Sequence, residues 1–314
     1  MIKKILATVV LSLSTAAAGA VNLGSASALV IEDATGKILL EKNANAVVSI
    51  ASLTKLMTAM VVLDAKQDMN EMIAIDRQDV DMVKFSTSRV PVGSRISRGD
   101  VLRLALMSSD NRAAHSLGRT YPGGSEAFKA AVRAKIAALD MNNTTIEEPT
   151  GLSPRNKSTA ADLVKMAQAA GQYPEITQMS TESRDMININ GRGVGFNNTN
   201  RLVGAAGWDI GLSKTGYTQE AGRCLIMRVK AAGKNATLVL LNAGASSTRI
   251  LDALNIRRFI EGDDAPRVVR KRVRSPIMAR AASSVVSKAK GAVAKAGVKG
   301  KRIKYQSRPV KRRR

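Results

Sequence analysis

The sequence predicts an α/β fold in which a mainly antiparallel sheet is covered by helices and interrupted by an all-helical subdomain. Three observations carry that expectation. Hairpin patterns stand near both ends of the chain, a helical stretch with readable caps separates them, and one helix in that stretch is apolar nearly all round. A helix without a polar face belongs at the centre of its domain.

Taken in order, the first segment is a targeting signal. Lys3 and Lys4 precede an apolar run over residues 5–18, and Ala18-Gly19-Ala20 supplies a small-x-small cleavage pattern. The run is short of the ~20 residues that cross a bilayer. Residues 1–20 are therefore expected to be a signal peptide cleaved near Ala20, which makes the protein exported, and periplasmic in a Gram-negative cell. Residues 27–43 follow as a β-hairpin turned through Asp33-Ala34-Thr35-Gly36. Residues 52–65 form the apolar helix, with Leu53, Leu56, Met57, Met60 and Val61 around its circumference. Ser97 with Asp100 and Thr159 with Asp162 read as capping boxes ahead of helices at 101–107 and 163–170. The Asn- and Gly-rich residues 185–200 read as a cleft-side loop. A second hairpin covers 222–229 and 237–242, and a helix spans 250–260. The catalytic domain is thus expected over 21–265, its sheet drawn from 27–43 and 205–262 and its helical part from about 52–202.

The remaining residues, 266–314, form a basic tail. Of the net charge of +24, +18 lies there without a single acidic residue, which leaves +6 for the rest. A solvated, disordered tail is the plain reading. Attachment to anionic membrane lipid or acidic wall polymer is the sharper one. Export argues against nucleic acid as the physiological partner, although the composition resembles nucleic-acid-binding tails. Cys224 is the only cysteine and sits in an apolar strand pattern, so no internal disulfide is expected and the thiol reads as core.

A serine nucleophile needs a base, an oxyanion site and a proton donor for the leaving group. His115 is the single histidine and suits neither a Ser-His-Asp triad nor, with so few other ligands, a zinc site. No metal or cofactor is expected. Ser52-Leu53-Thr54-Lys55 offers another solution: positions i and i+3 share a helix face, and burial lowers a lysine pKa until it can act as a base. An isolated S-x-x-K carries little weight, since Ser287-Lys288-Ala289-Lys290 repeats it in the tail. The first copy has company in order: Ser109-Asp110-Asn111, 57 residues on, and Lys214-Thr215-Gly216, 105 residues further. Penicillin-binding proteins and class A β-lactamases share this set.

Longer stretches sharpen the match. Residues 50–60 and 104–114, with Glu148-Pro149-Thr150-Gly151-Leu152-Ser153 and Lys214-Thr215-Gly216-Tyr217-Thr218, resemble the serine D-Ala-D-Ala carboxypeptidases and endopeptidases, the low-molecular-mass penicillin-binding proteins. The resemblance runs from about residue 28 to 262 and is nearest to the endopeptidases of that family. It implies a penicillin-binding/β-lactamase-like fold, peptidoglycan stem peptides as substrate, and β-lactam antibiotics as covalent inhibitors. It further implies Ser52 as nucleophile, Lys55 as its base and Ser109 as proton relay to the leaving amine. Asn111 would hold the substrate amide, and Lys214 and Thr215 its carboxylate, with Lys214 helping to keep Lys55 neutral. Gly216 would let the substrate backbone approach, and the N–H groups of Ser52 and Tyr217 would form the oxyanion hole. Arg249 corresponds to a carboxylate-binding arginine, at a spacing after Lys214 that differs by one residue.

Two rivals share the acylation chemistry. A class A β-lactamase needs a glutamate that activates the deacylating water, and Glu147 and Glu148 lie in the right third of the chain. The loop around them instead looks like the peptidase version. A D-Ala-D-Ala carboxypeptidase differs only in releasing free D-alanine. The residues after 262 lack the alternating apolar runs of an added β-rich domain, which favours the endopeptidase.

Overall fold

A computed structural model of the protein describes residues 21–262, so the expected signal peptide and basic tail lie outside the described residues. The chain begins with β1 (Ser25–Glu32), β2 (Ile38–Lys42) and β3 (Val48–Ser49), then a 3-10 turn at Ala51–Leu53 that runs into α1 (Thr54–Asp64). Next come β4 (Met72–Ala74), β5 (Arg95–Ser97), α2 (Arg98–Leu106), α3 (Asn111–Arg119), α4 (Gly124–Ala138), β6 (Lys157–Ser158), α5 (Ala160–Ala170) and α6 (Pro174–Thr181). The hairpin β7 (Arg184–Ile189) and β8 (Arg192–Asn197) precedes three long strands, β9 (Asp209–Thr218), β10 (Gly222–Ala231) and β11 (Lys234–Ala243). Helix α7 (Ser246–Glu261) closes the described chain.

Five strands make the main sheet in the order β2-β1-β11-β10-β9, antiparallel throughout. The N-terminal hairpin therefore pairs with the C-terminal one, with Leu29 opposite Val239. Both faces of this sheet are buried. On one, Ala253, Ile256 and Ile260 of α7 pack on Leu225, Met227, Leu238 and Leu240. On the other, Ile226, Val239 and Leu241 join the large core that holds α1, α2 and α5. Helix α1 is the hub, buried continuously from Thr54 to Val62, as its apolar circumference requires. Each of its Leu and Met side chains contributes about 1.5–3 kcal/mol by leaving water.

The inserted part departs from the all-helical expectation. It carries two two-stranded ladders, β4–β5 and β7–β8, among its helices, and its β6 pairs with β3 just ahead of it. Residues 184–197 are a hairpin and not a loop. Asn190 and Gly191 turn it with φ of +53° and +79°, both left-handed as a two-residue hairpin turn needs. The expected capping boxes are half present. Ser97 Oγ accepts from Asp100 N and Thr159 Oγ1 from Asp162 N, each at 3.1 Å. The return bonds are not made, because the carboxylates are used elsewhere: Asp100 takes Arg103, and Asp162 takes Asn143 N and Thr144. The reciprocal arrangement occurs instead between Asp76 and Asp79 at the short 3-10 turn Arg77–Asp79. Strand β9 is one edge of the sheet and lies against the turn before α1. That contact builds the site.

Candidate active site

Ser52 occupies the 3-10 turn, and Lys55 follows one residue into α1. Lys55 Nζ lies 2.9 Å from Ser52 Oγ, 2.7 Å from Asn111 Oδ1 and 2.7 Å from the Thr150 carbonyl oxygen. A neutral amine has two N–H donors and one lone pair. The two carbonyl oxygens accept those donors, which leaves the lone pair for the Ser52 hydroxyl. Burial lowers the Lys55 pKa to about 8, against the opposing carboxylates of Glu148, Asp110 and Asp81. The side chain can thus lose its proton near pH 8 and is placed to act as a base toward Ser52.

The loop behind Ser52 is held by close backbone contact. Gly151 sits at φ +85°, and a Cβ there would lie 1.9 Å from the Ala51 carbonyl oxygen, so no other residue fits. Glu148 ties the loop down, accepting from Thr150 N and Gly151 N at 2.7 Å each, and from Thr150 Oγ1, Ser153 N and Asn156 Nδ2. With its lone pairs so committed, this carboxylate is a clamp for the Thr150 carbonyl that holds Lys55. Glu147 pairs with Arg155. Neither glutamate is placed as the water-activating residue of a β-lactamase.

The turn Ser109-Asp110-Asn111 joins the two walls of the site. Asp110 caps α3, accepting from Ala113 N at 2.9 Å, and its second oxygen accepts from Ser88 at 2.7 Å. Ser109 is held at φ +59°, a left-handed conformation that costs a serine of order 1–3 kcal/mol. That strain sends Ser109 and Asn111 in opposite directions. Asn111 reaches Lys55, while Ser109 Oγ accepts from Lys214 Nζ at 2.7 Å. Lys214 is fully buried in β9 and also donates to the Thr215 carbonyl. Burial, then the Lys55 and Arg249 cations, push its pKa well below the usual lysine range. Lys214 was expected to help keep Lys55 neutral; burial is the cause that lowers the Lys55 pKa, and burial disfavours the charge of Lys214 as well.

Strand β9 completes the cleft. A Cβ on Gly216 would sit 3.0 Å from the Ile50 carbonyl oxygen and 3.2 Å from Ser52 N, so glycine lets the strand lie this close to Ser52. The cleft holds about 540 Å³ and is lined by Ser52, Ser109, Thr215, Tyr217 and Arg249 among others. Thr215 Oγ1 donates to Thr199 Oγ1 at 2.6 Å, and the buried Arg249 donates Nη1 to the Cys224 carbonyl at 2.9 Å. The structure brings together every residue the sequence singled out for chemistry. Sequence reasoning missed the Thr150 carbonyl, Ser86 (which accepts from Asn111 Nδ2 at 2.8 Å), Thr199, Arg201 and Arg223. No motif marks these positions.

The set-aside residues are accounted for. His115 Nδ1 lies 2.8 Å from the buried Asp79, which Arg119 also contacts. Burial alone would raise the Asp79 pKa, but the His115 and Arg119 hydrogen bonds hold it at about 2. Burial lifts the Cys224 thiol to about 11. Among the described residues no group of three or more His, Cys, Asp or Glu side chains could hold a metal ion.

Residues 14–245 match the family described as D-alanyl-D-alanine carboxypeptidase, peptidase S11. The chain belongs to that family. Among its relatives, the D-alanyl-D-alanine endopeptidase of Pseudomonas aeruginosa is 48% identical over 76% of this chain and 78% of the relative. The Escherichia coli D-alanyl-D-alanine endopeptidase is 46% identical over the same shares. Of solved structures, the Streptomyces K15 DD-transpeptidase superposes with a TM-score of 0.71 at 24% identity, over 76% of this chain and 97% of that one. Penicillin-binding protein D2 of Listeria monocytogenes, in its ampicillin-bound form, gives 0.66 at 28% identity over the same shares. As an S11 protein the chain is a serine DD-peptidase, with its sheet and helices in the penicillin-binding arrangement.

Proposed function

We propose that the protein is an exported D-alanyl-D-alanine endopeptidase that opens peptidoglycan cross-links through an acyl-enzyme on Ser52. The observation that carries the chemistry is the 2.9 Å contact between Lys55 Nζ and Ser52 Oγ, in a network that leaves the amine's lone pair facing the hydroxyl. Lys55 takes the Ser52 proton as Oγ attacks the D-alanyl carbonyl. The backbone N–H groups of Ser52 and Tyr217 receive the oxyanion. Ser109, on Lys214, passes a proton to the leaving amine, and Thr215 and Arg249 orient the substrate carboxylate. Water then releases the acyl group and restores Ser52. Export follows from the pattern of residues 1–20; among the described residues no helix is long and apolar enough to cross a membrane.

The endopeptidase reading is supported by the two relatives of that name at 48% and 46% identity. A carboxypeptidase is the second reading, favoured by the family description and by the Bacillus subtilis D-alanyl-D-alanine carboxypeptidase DacF at 30% identity. Digestion of purified muropeptides separates the two. Conversion of cross-linked dimers to monomers, abolished by Ser52→Ala and by benzylpenicillin, supports the endopeptidase. Loss of D-alanine from pentapeptide monomers with dimers intact supports the carboxypeptidase. The proposal extends to the basic tail as a tether to anionic lipid or wall polymer: deletion of residues 266–314 should release the protein from anionic vesicles, and unchanged binding would remove the tether.

A further inference from the structure

The cleft is one-sided in charge. Arg201, Arg223 and Arg249 all line it, and no aspartate or glutamate does. Among the described residues none of the three makes an ion pair. Helix α7 adds to this polarity. It starts in the cleft wall at Ser246 and Ser247 behind Ala245, which caps no backbone donor, and its first turn holds no acidic residue. An uncapped helix start carries partial positive charge of its own.

Two of the arginines are already oriented. Arg249 is buried and fixed by its bond to the Cys224 carbonyl. Arg223 lies over the ring of the half-exposed Tyr217, its guanidinium carbon 3.4 Å from the ring centroid. Stacking uses the face of a guanidinium and leaves its in-plane N–H edge to bind a carboxylate in bidentate fashion. Tyr217 follows the Lys214-Thr215-Gly216 segment directly, so the edge of Arg223 is presented beside the reacting centre on the strand that aligns substrate.

Free D-alanine leaves with one carboxylate, beside its amine. A neighbouring stem peptide leaves with one in the same place and others further along. Arg249 suffices for the first. We infer that Arg223, with Arg201, reads a second carboxylate on the departing stem and thereby selects cross-linked substrate over a terminal D-alanine. The inference rests on the endopeptidase reading.

The test measures kcat and KM of the whole protein on a purified cross-linked muropeptide dimer and on a pentapeptide monomer, with benzylpenicillin acylation as a third readout. In Arg223→Gln the dimer-to-monomer ratio of kcat/KM falls about 10-fold, mainly through KM on the dimer, because a charge-assisted pair to the leaving stem is lost. Arg201→Gln moves the ratio the same way by less, and Arg223→Lys recovers part of it. Amidation of the departing stem's carboxylates other than the one beside the scissile amine reproduces the Arg223→Gln ratio in wild type. An equal fall on dimer, monomer and penicillin would make Arg223 merely a support for Tyr217 and overturn the inference. An unchanged ratio would overturn it too while leaving the endopeptidase intact. A wild type that does not cut dimers would instead overturn the endopeptidase reading, and this inference with it.

Discussion

The helical and sheet walls of the cleft each bring one fully buried lysine to the nucleophile, and they treat its charge differently. Lys55, on α1, has two carbonyl acceptors and carboxylates nearby, so its proton is lost near pH 8. Lys214, on β9, has Ser109 and its own neighbour's carbonyl, with Lys55 and Arg249 as cationic neighbours. Equal burial therefore gives a tuned base on one wall and a strongly disfavoured cation on the other. On the proposed mechanism, a substrate carboxylate entering the cleft would supply the countercharge that the second lacks. One turn, 109–111, keeps the pair apart by sending Ser109 to one lysine and Asn111 to the other.

That comparison can be broken most sharply at Lys55. Arginine keeps the charge but cannot give up its proton at any working pH, so Lys55→Arg should slow penicillin acylation by about 1,000-fold or more. Stopped-flow acylation with a fluorescent penicillin measures it. Gly216→Ala comes next. It leaves both lysines intact but pushes β9 from Ser52, and should cost about 100-fold in the same assay.

The pH profile sharpens the comparison further. Only neutral Lys55 accepts the Ser52 proton, so acylation should rise about tenfold per pH unit up to a pKa near 8 and level off above it. In Lys214→Gln the rate falls but the limb should stay in place, because burial and not the Lys214 charge lowers the Lys55 pKa. A limb that moves upward would show the two lysines to be coupled as the motif alone suggests. The smallest effect is expected at Glu147, whose exposed pair with Arg155 lies outside the network; Glu147→Gln should change acylation and deacylation by less than about twofold.

Much of this was legible in the sequence, for reasons that differ by element. The apolar circumference of α1 dictates a central helix, and short apolar runs bounded by turn residues dictate the pairs around β1 and β10. Spacing of three residues on a helix puts Lys55 on Ser52. Backbone groups were not legible: the Thr150 carbonyl that contacts Lys55 has no signature, and the sequence does not show the five donors that commit Glu148 to its own loop. The left-handed Ser109 and Ala51, at φ +59° and +47°, are imposed by the surrounding packing. Short ladders such as β3–β6 exist only through their tertiary partners. The β7–β8 hairpin was missed although Asn190-Gly191 marks its turn, because polar and glycine content outweighed the alternation on either side.

The most direct test of the central claim is to locate the penicillin adduct. The whole protein is incubated with benzylpenicillin, digested and mapped by mass, beside Ser52→Ala. One adduct on Ser52, absent from the variant, is the predicted result. An adduct elsewhere, as at Ser287 in the tail's own S-x-x-K, or none in wild type, would contradict a nucleophile built by α1, Lys55 and the edge of β9.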